Sequence, residues 1–240
     1  MKKFLVVFTW LVILSFTGIA QTNVMDSNSL KATLEFTNIQ LASAAYDNQQ
    51  FDISVISTDG TVADTLLGVC SIQGENYKTE FDSIIQLQNN FVNLQVHLSG
   101  KILVASHPAP FTKQLFKGNV DEASFQSINV GSMSIATVGA DKQLVFTFLP
   151  ESEFEEYKVT YYPATYRVSE ITMKTKLPDG AGGYTPGAYN TTTMKLTNFT
   201  AISPGTNLFD TSPYILVDGN TLQKQAAYND YNLVNLMEAQ

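Results

Sequence analysis

The chain has 240 residues, 44% of them hydrophobic and 15% charged, with 14 Lys and Arg against 22 Asp and Glu. That is too apolar for a disordered polypeptide, and a net charge of −8 lacks the basic footprint of a binder of nucleic acid or anionic membrane surface. A single cysteine makes no intramolecular disulfide and anchors no Cys-rich metal site.

The first twenty residues read as an export signal. Lys2 and Lys3 give a positive n-region, Phe4 to Phe16 an almost unbroken apolar run, and Gly18-Ile19-Ala20 a small-residue cleavage site. The run is shorter than the roughly 20 apolar residues a bilayer span needs. Residues 1–20 are therefore predicted to be a removed signal peptide rather than a transmembrane anchor. Residues 21–240 then form one β-rich domain, exported to the periplasm or outside the cell. The lone mature thiol, Cys70, fits a bacterial envelope better than a disulfide-stapled extracellular module.

Residues 27–45 are the helix candidate. Leu30, Leu34, Leu41 and Ala45 fall on one 3.6-period stripe, and Asp26 or Ser27 is placed to cap it. From Phe51 the period changes to 2, with Phe51, Ile53 and Val55 alternating with more polar residues. Asp59-Gly60 marks a hairpin, followed by a strand from Val62 to Ile72, a turn at Gly74-Glu75-Asn76, and strands at Tyr77–Phe81, Phe91–Leu98 and Lys101–Ser106. Residues 107–130 lose this pattern and are expected to cross the sheet irregularly. A second meander follows at Ser132–Val138, Gln143–Leu149, Glu156–Tyr162 and Tyr166–Leu177. After a flexible loop at Pro178–Gly183 come the strand Thr191–Ile202 and short tail strands near 214–217, 221–225 and 231–236.

Little in the sequence carries chemistry. His97 is expected on the solvent side of a strand whose other side is Val92, Leu94, Val96 and Leu98, and His107 ends a strand before Pro108. Glu151, Glu153, Glu155 and Glu156 lack the Asp/Asn/Gly spacing of a calcium loop and read as a solvated hairpin. No Gly-x-Ser-x-Gly, phosphate loop, His-Glu-x-x-His or paired-Cys spacing is present, and Cys70 lies in an apolar strand. The expectation is a non-enzyme with no catalytic residue, no metal site and no cofactor. What the strands do carry is apolar and aromatic side chains: Leu144, Phe146 and Phe148; Tyr157, Val159 and Tyr161; Ile171 and Met173. They build either an ordinary solid core or a concave face that accepts an apolar ligand.

The order of elements resembles the LolA-like superfamily: an exported chain, one N-terminal helix, a meander, an irregular crossing and a second meander. Tyr157–Tyr162, Tyr166–Lys176 and Thr191–Ile202 look like its late strands, and Gly68–Ile72 through Tyr77–Thr79 is similar to its early ones. The carriers' early arginine-aromatic signature is absent, the only Arg being Arg167 in a late strand, so no functional residue carries over. No lipobox cysteine follows the signal, against the membrane-anchored branch. The resemblance implies an α+β fold, a strongly curved antiparallel half-barrel with helix 27–45 packed on its concave face. About ten strands are expected. The helix stripe and the strand alternation, read from the residues themselves, predict an apolar ligand face of Leu30, Leu34, Leu41, Tyr157, Tyr161, Ile171 and Met173, with a lipid or lipoprotein acyl chain as ligand. The alternative is an envelope interaction or assembly protein that binds another protein and no small ligand.

Overall fold

A computed structural model describes residues 27–109, 111, 129–203, 207–218 and 221–237. The expected signal peptide and most of the irregular segment 107–130 lie outside the described residues. Helix α1 (Ser27–Leu41) runs into a 3-10 turn (Ala42–Tyr46). The first meander is β1 (Gln49–Thr58), β2 (Ala63–Gln73), β3 (Asn76–Phe81), β4 (Ile84–Gln88), β5 (Asn93–His97) and β6 (Ile102–Ser106). The second is β7 (Val130–Val138), β8 (Asp141–Phe148), β9 (Phe154–Tyr162), β10 (Arg167–Pro178) and β11 (Tyr184–Ala201). The tail adds β12 (Ile215–Asp218), β13 (Thr221–Lys224) and β14 (Asn232–Asn235).

Among the described residues, twelve strands form one open sheet in the order β14-β6-β5-β4-β3-β2-β1-β11-β10-β9-β8-β7, and β12 and β13 pair separately. The sheet is larger than the ten strands expected. Its two meanders join where β1 pairs antiparallel with β11 (Ile53 opposite Leu196, Val55 opposite Met194), so residues 107–129 lead from β6 to the opposite edge, at β7. One pairing breaks the antiparallel expectation: β14 lies parallel to β6, Leu233 opposite Leu103.

Turn chemistry explains the hairpins. Asp59 Oδ1 accepts the backbone N–H of Thr61 at 2.9 Å and of Val62 at 3.0 Å, while Gly60 takes φ +90°. These bonds hold the Asp59 carboxyl down to about 2. Asp179 closes the β10–β11 turn the same way, accepting from Ala181 (2.8 Å) and Gly183 (2.9 Å). The loop expected to be flexible is thus a hydrogen-bonded turn.

Two cores lie on opposite faces of the sheet. One face of β1–β3 and β7–β11 buries Phe51, Ile53, Leu144, Phe146, Val159 and Ile171 beneath α1. On β4–β6 the buried apolar residues change face: Leu94, Val96, Leu103 and Ala105 pack with Ile215 and Met237, beside the β12–β13 hairpin. The α1 face of that half is polar yet buried. There the Tyr77 hydroxyl accepts hydrogen bonds from Asn93 and from Gln86 (2.9 Å), and Asn93 also donates to Gln88 Oε1 (3.0 Å). Gln88 in turn donates to the Glu75 carbonyl (2.7 Å) and accepts from Ala109 N–H (2.9 Å). Satisfied polar groups tolerate burial, so this half needs no second apolar layer.

Candidate functional site

The face under α1 is assembled by strand alternation. Register places Tyr161 opposite Val168, Val159 opposite Ile171 and Tyr157 opposite Met173, so Tyr157, Tyr161, Ile171 and Met173 share one side of β9 and β10. Leu144 and Phe146 extend it onto β8. The four sheet residues expected in the apolar face are therefore brought together.

The three helix leucines are not with them. Leu30, Leu34 and Leu41 are 57%, 59% and 75% exposed, and the buried stripe is Ala32, Phe36 and Ile39. The expectation that the leucine stripe faces the sheet is corrected. Helix α1 carries two apolar stripes on opposite sides, and periodicity alone does not choose between them. The aromatic one wins: Phe36 meets Phe146 edge-on, ring centres 5.2 Å apart. Polar contacts lock the same orientation. Tyr161 donates its hydroxyl hydrogen to Glu35 Oε2 at 2.7 Å, Lys142 Nζ lies 3.5 Å from Glu35, and Thr33 Oγ1 is 3.7 Å from Met133 sulfur.

Beyond the helix the apolar face continues with part of its surface open. Tyr157 and Phe148 are only partly buried beside the core, Phe146 and Tyr157 rings meet at 5.4 Å, and Met173 is likewise half-buried. Val55 extends the strip on β1. Phe36, Ile39 and Phe148 belong to this region but were missing from the sequence-derived face. Their signal was present as a second helical stripe and as the alternation Leu144, Phe146, Phe148.

Burial favours the neutral form of the tyrosines, the thiol and the buried histidine. Burial raises the hydroxyls of Tyr46, Tyr77, Tyr157 and Tyr161 above the usual phenol value, with the Glu35 carboxylate adding to the effect at Tyr161. Burial also pushes the Cys70 thiol up to about 12, a direction that removes nucleophilic thiolate. His97 departs from expectation: it is 7% exposed rather than on a solvent side, and burial lowers its basicity. It stands in register between Ile84 and Ile102, in a strand covered on both faces. His107 Nε2 sits 3.2 Å from the Met237 carbonyl, joining the tail to the end of β6. In the acidic hairpin, Lys176 Nζ donates to the carbonyls of Pro150 (2.8 Å) and Ser152 (2.9 Å) and lies 4.0 Å from Glu155. No group of three or more His, Cys, Asp or Glu converges as a metal site among the described residues, and no described helix is long and apolar enough to cross a membrane.

No family model and no curated protein matches the chain. Solved structures do. An uncharacterized conserved protein from Thermus thermophilus is 11% identical with a TM-score of 0.41, covering 85% of this chain and 98% of its own. A LolA superfamily protein from Nitrosomonas europaea is 10% identical with a TM-score of 0.34, covering 75% and 98%. A chain of the Pseudomonas aeruginosa MucA/MucB complex is 9% identical with a TM-score of 0.31, covering 76% of this chain and 62% of its own. At these scores the function of the chain rests on its own geometry.

Proposed function

We propose that the chain is an exported, non-catalytic envelope protein that holds an apolar ligand, a lipid or a lipoprotein acyl chain, on the sheet face beside α1. The observation that carries this reading is the strip of Val55, Phe148, Tyr157 and Met173, which continues the packed core yet leaves part of its surface open. Covering such surface gains about 25 cal/mol per Å² of apolar area. Helix α1 forms one wall, since Phe36 and Phe146 close the face where the strip begins. Native mass spectrometry of the chain purified from an envelope fraction tests the proposal. Lipid adducts on a chain beginning at Gln21 are the expected result; a bare chain, or one retaining Met1, opposes it.

One observation favours a second reading, a protein partner in the envelope. The outward side of α1 presents Leu30, Leu34 and Leu41 exposed on one side, interrupted by Thr37, an arrangement that a partner surface would cover. In the same spectrum this reading appears as a stable complex with a second protein.

A further inference from the structure

We infer that the opposite face of the sheet carries a binding site for an oxyanion, a carboxylate or phosphate group, built on Arg167. This lies beyond the apolar-ligand reading and stands or falls independently of it.

Arg167 is the only arginine of the chain and opens β10, paired with Tyr162 across the β9–β10 turn. Its guanidinium carbon lies 4.0 Å from the ring centre of Phe199 and 5.0 Å from that of Tyr162. Two aromatic rings therefore fix the position of the guanidinium, and ring contacts consume none of its N–H donors in the plane. Among the described residues no carboxylate pairs with it, and its Nε is buried with no hydrogen-bond partner.

Arg167 lines a groove of about 590 Å³ over β8–β11, whose walls lie chiefly on the side away from α1 but also include the core residue Leu196 and Phe199, whose ring stacks on Phe51 under α1. Alternation fixes that side: Gln143, Thr160, Glu170 and Lys195 line the groove, whereas their neighbours Leu144, Val159, Ile171 and Met194 are in the core. Thr160, Ser169 and Asn198 add neutral polar groups near Arg167. The carboxylates around the groove do not cancel the arginine. Glu170 faces Lys195 at 3.5 Å, and Asp52 accepts from Asn198 at 2.7 Å. Asp141 lines the groove from β8, two strands from Arg167, their backbones roughly 10 Å apart by strand spacing, and no ion pair joins them among the described residues. Arg167 is thus a pre-oriented fork with open donors, suited to two parallel N–H···O bonds with one oxyanion.

The test is an NMR titration of residues 21–240 with acetate, inorganic phosphate and monomeric dihexanoyl phosphatidylglycerol, each against matched chloride. Saturable shifts at the amides of Arg167, Ser169 and Thr197 are expected with at least one of the three. Response to the small anions identifies a free carboxylate or phosphate, and response to the lipid alone identifies a headgroup. Arg167→Gln is expected to weaken the binding at least tenfold, and Tyr162→Leu, which removes one ring while keeping the charge, to weaken it less. No saturable shift with any probe, or shifts confined to other residues, overturns the site on the wild-type chain alone. Equal binding by a folded R167Q variant overturns it as well.

Discussion

Phe36→Ala removes the side chain that decides which side of α1 meets the sheet. Phe36 is 3% exposed and its ring contacts Phe146 edge-on at 5.2 Å, so truncation loses both burial and a specific aromatic pair. Buried Phe→Ala changes cost about 3–5 kcal/mol, of which the ring pair supplies about 0.5–1.5. At about 2–4 °C per kcal/mol for a domain of this size, the thermal midpoint should fall by roughly 6–20 °C. Leu34→Ala, on the exposed side, should stay within about 0.5 kcal/mol of wild type. Circular-dichroism melts of both variants and of Phe146→Ala, with the double variant closing the cycle, give the comparison. If Leu34→Ala destabilises as much as Phe36→Ala, or if Phe36 and Phe146 show no coupling, the assigned orientation of α1 is wrong.

Two further outcomes test the fold. Folding raises the hydroxyls of Tyr46, Tyr77 and Tyr161, so the unfolded chain gives up these protons first as pH rises. Their contribution to stability is complete below about pH 10, the ordinary phenol value, and is lost above it; urea midpoints should fall across that range, and a flat profile would refute the burial assigned to them. Gly68→Ala would put a Cβ 2.6 Å from the Glu80 carbonyl oxygen and against Phe81 Cδ1, forcing β2 from β3. A loss of about 1–3 kcal/mol is expected by thermal melt, and an unchanged midpoint would contradict the close approach of these strands.

Local pattern carried most of the strands because alternation and turn residues are written into short stretches. Phe51, Ile53 and Val55 before Asp59-Gly60 specify both β1 and its hairpin. Strand β4 escaped because Ile84, Ile85, Gln86, Leu87 and Gln88 lack clean alternation and the Asp82-Ser83 turn has no glycine. Its glutamines point to a face that is buried by hydrogen bonding with Tyr77 and Asn93, which hydropathy does not register. His97 lies on that same face, between Ile84 and Ile102, and is buried there although a histidine reads as polar. The parallel β14–β6 pair depends on contacts more than a hundred residues apart, beyond any local pattern. At the candidate site, the register places Tyr157, Tyr161, Ile171 and Met173 on one side of β9 and β10, as strand alternation dictates. The helix side was ambiguous between two stripes until Phe146 and Tyr161 supplied partners for Phe36 and Glu35.

The central claim is that the face beside α1 takes an apolar ligand. Its most direct measurement is titration of residues 21–240 with a fluorescent acyl probe, alongside the Met173→Lys variant, which sets a charge on the half-buried strip without entering the core. The account expects saturable binding by the wild type, displaced by unlabelled fatty acid and weakened at least tenfold in a folded M173K chain. Absence of saturable binding by the folded wild type, or equal binding by the variant, would contradict it.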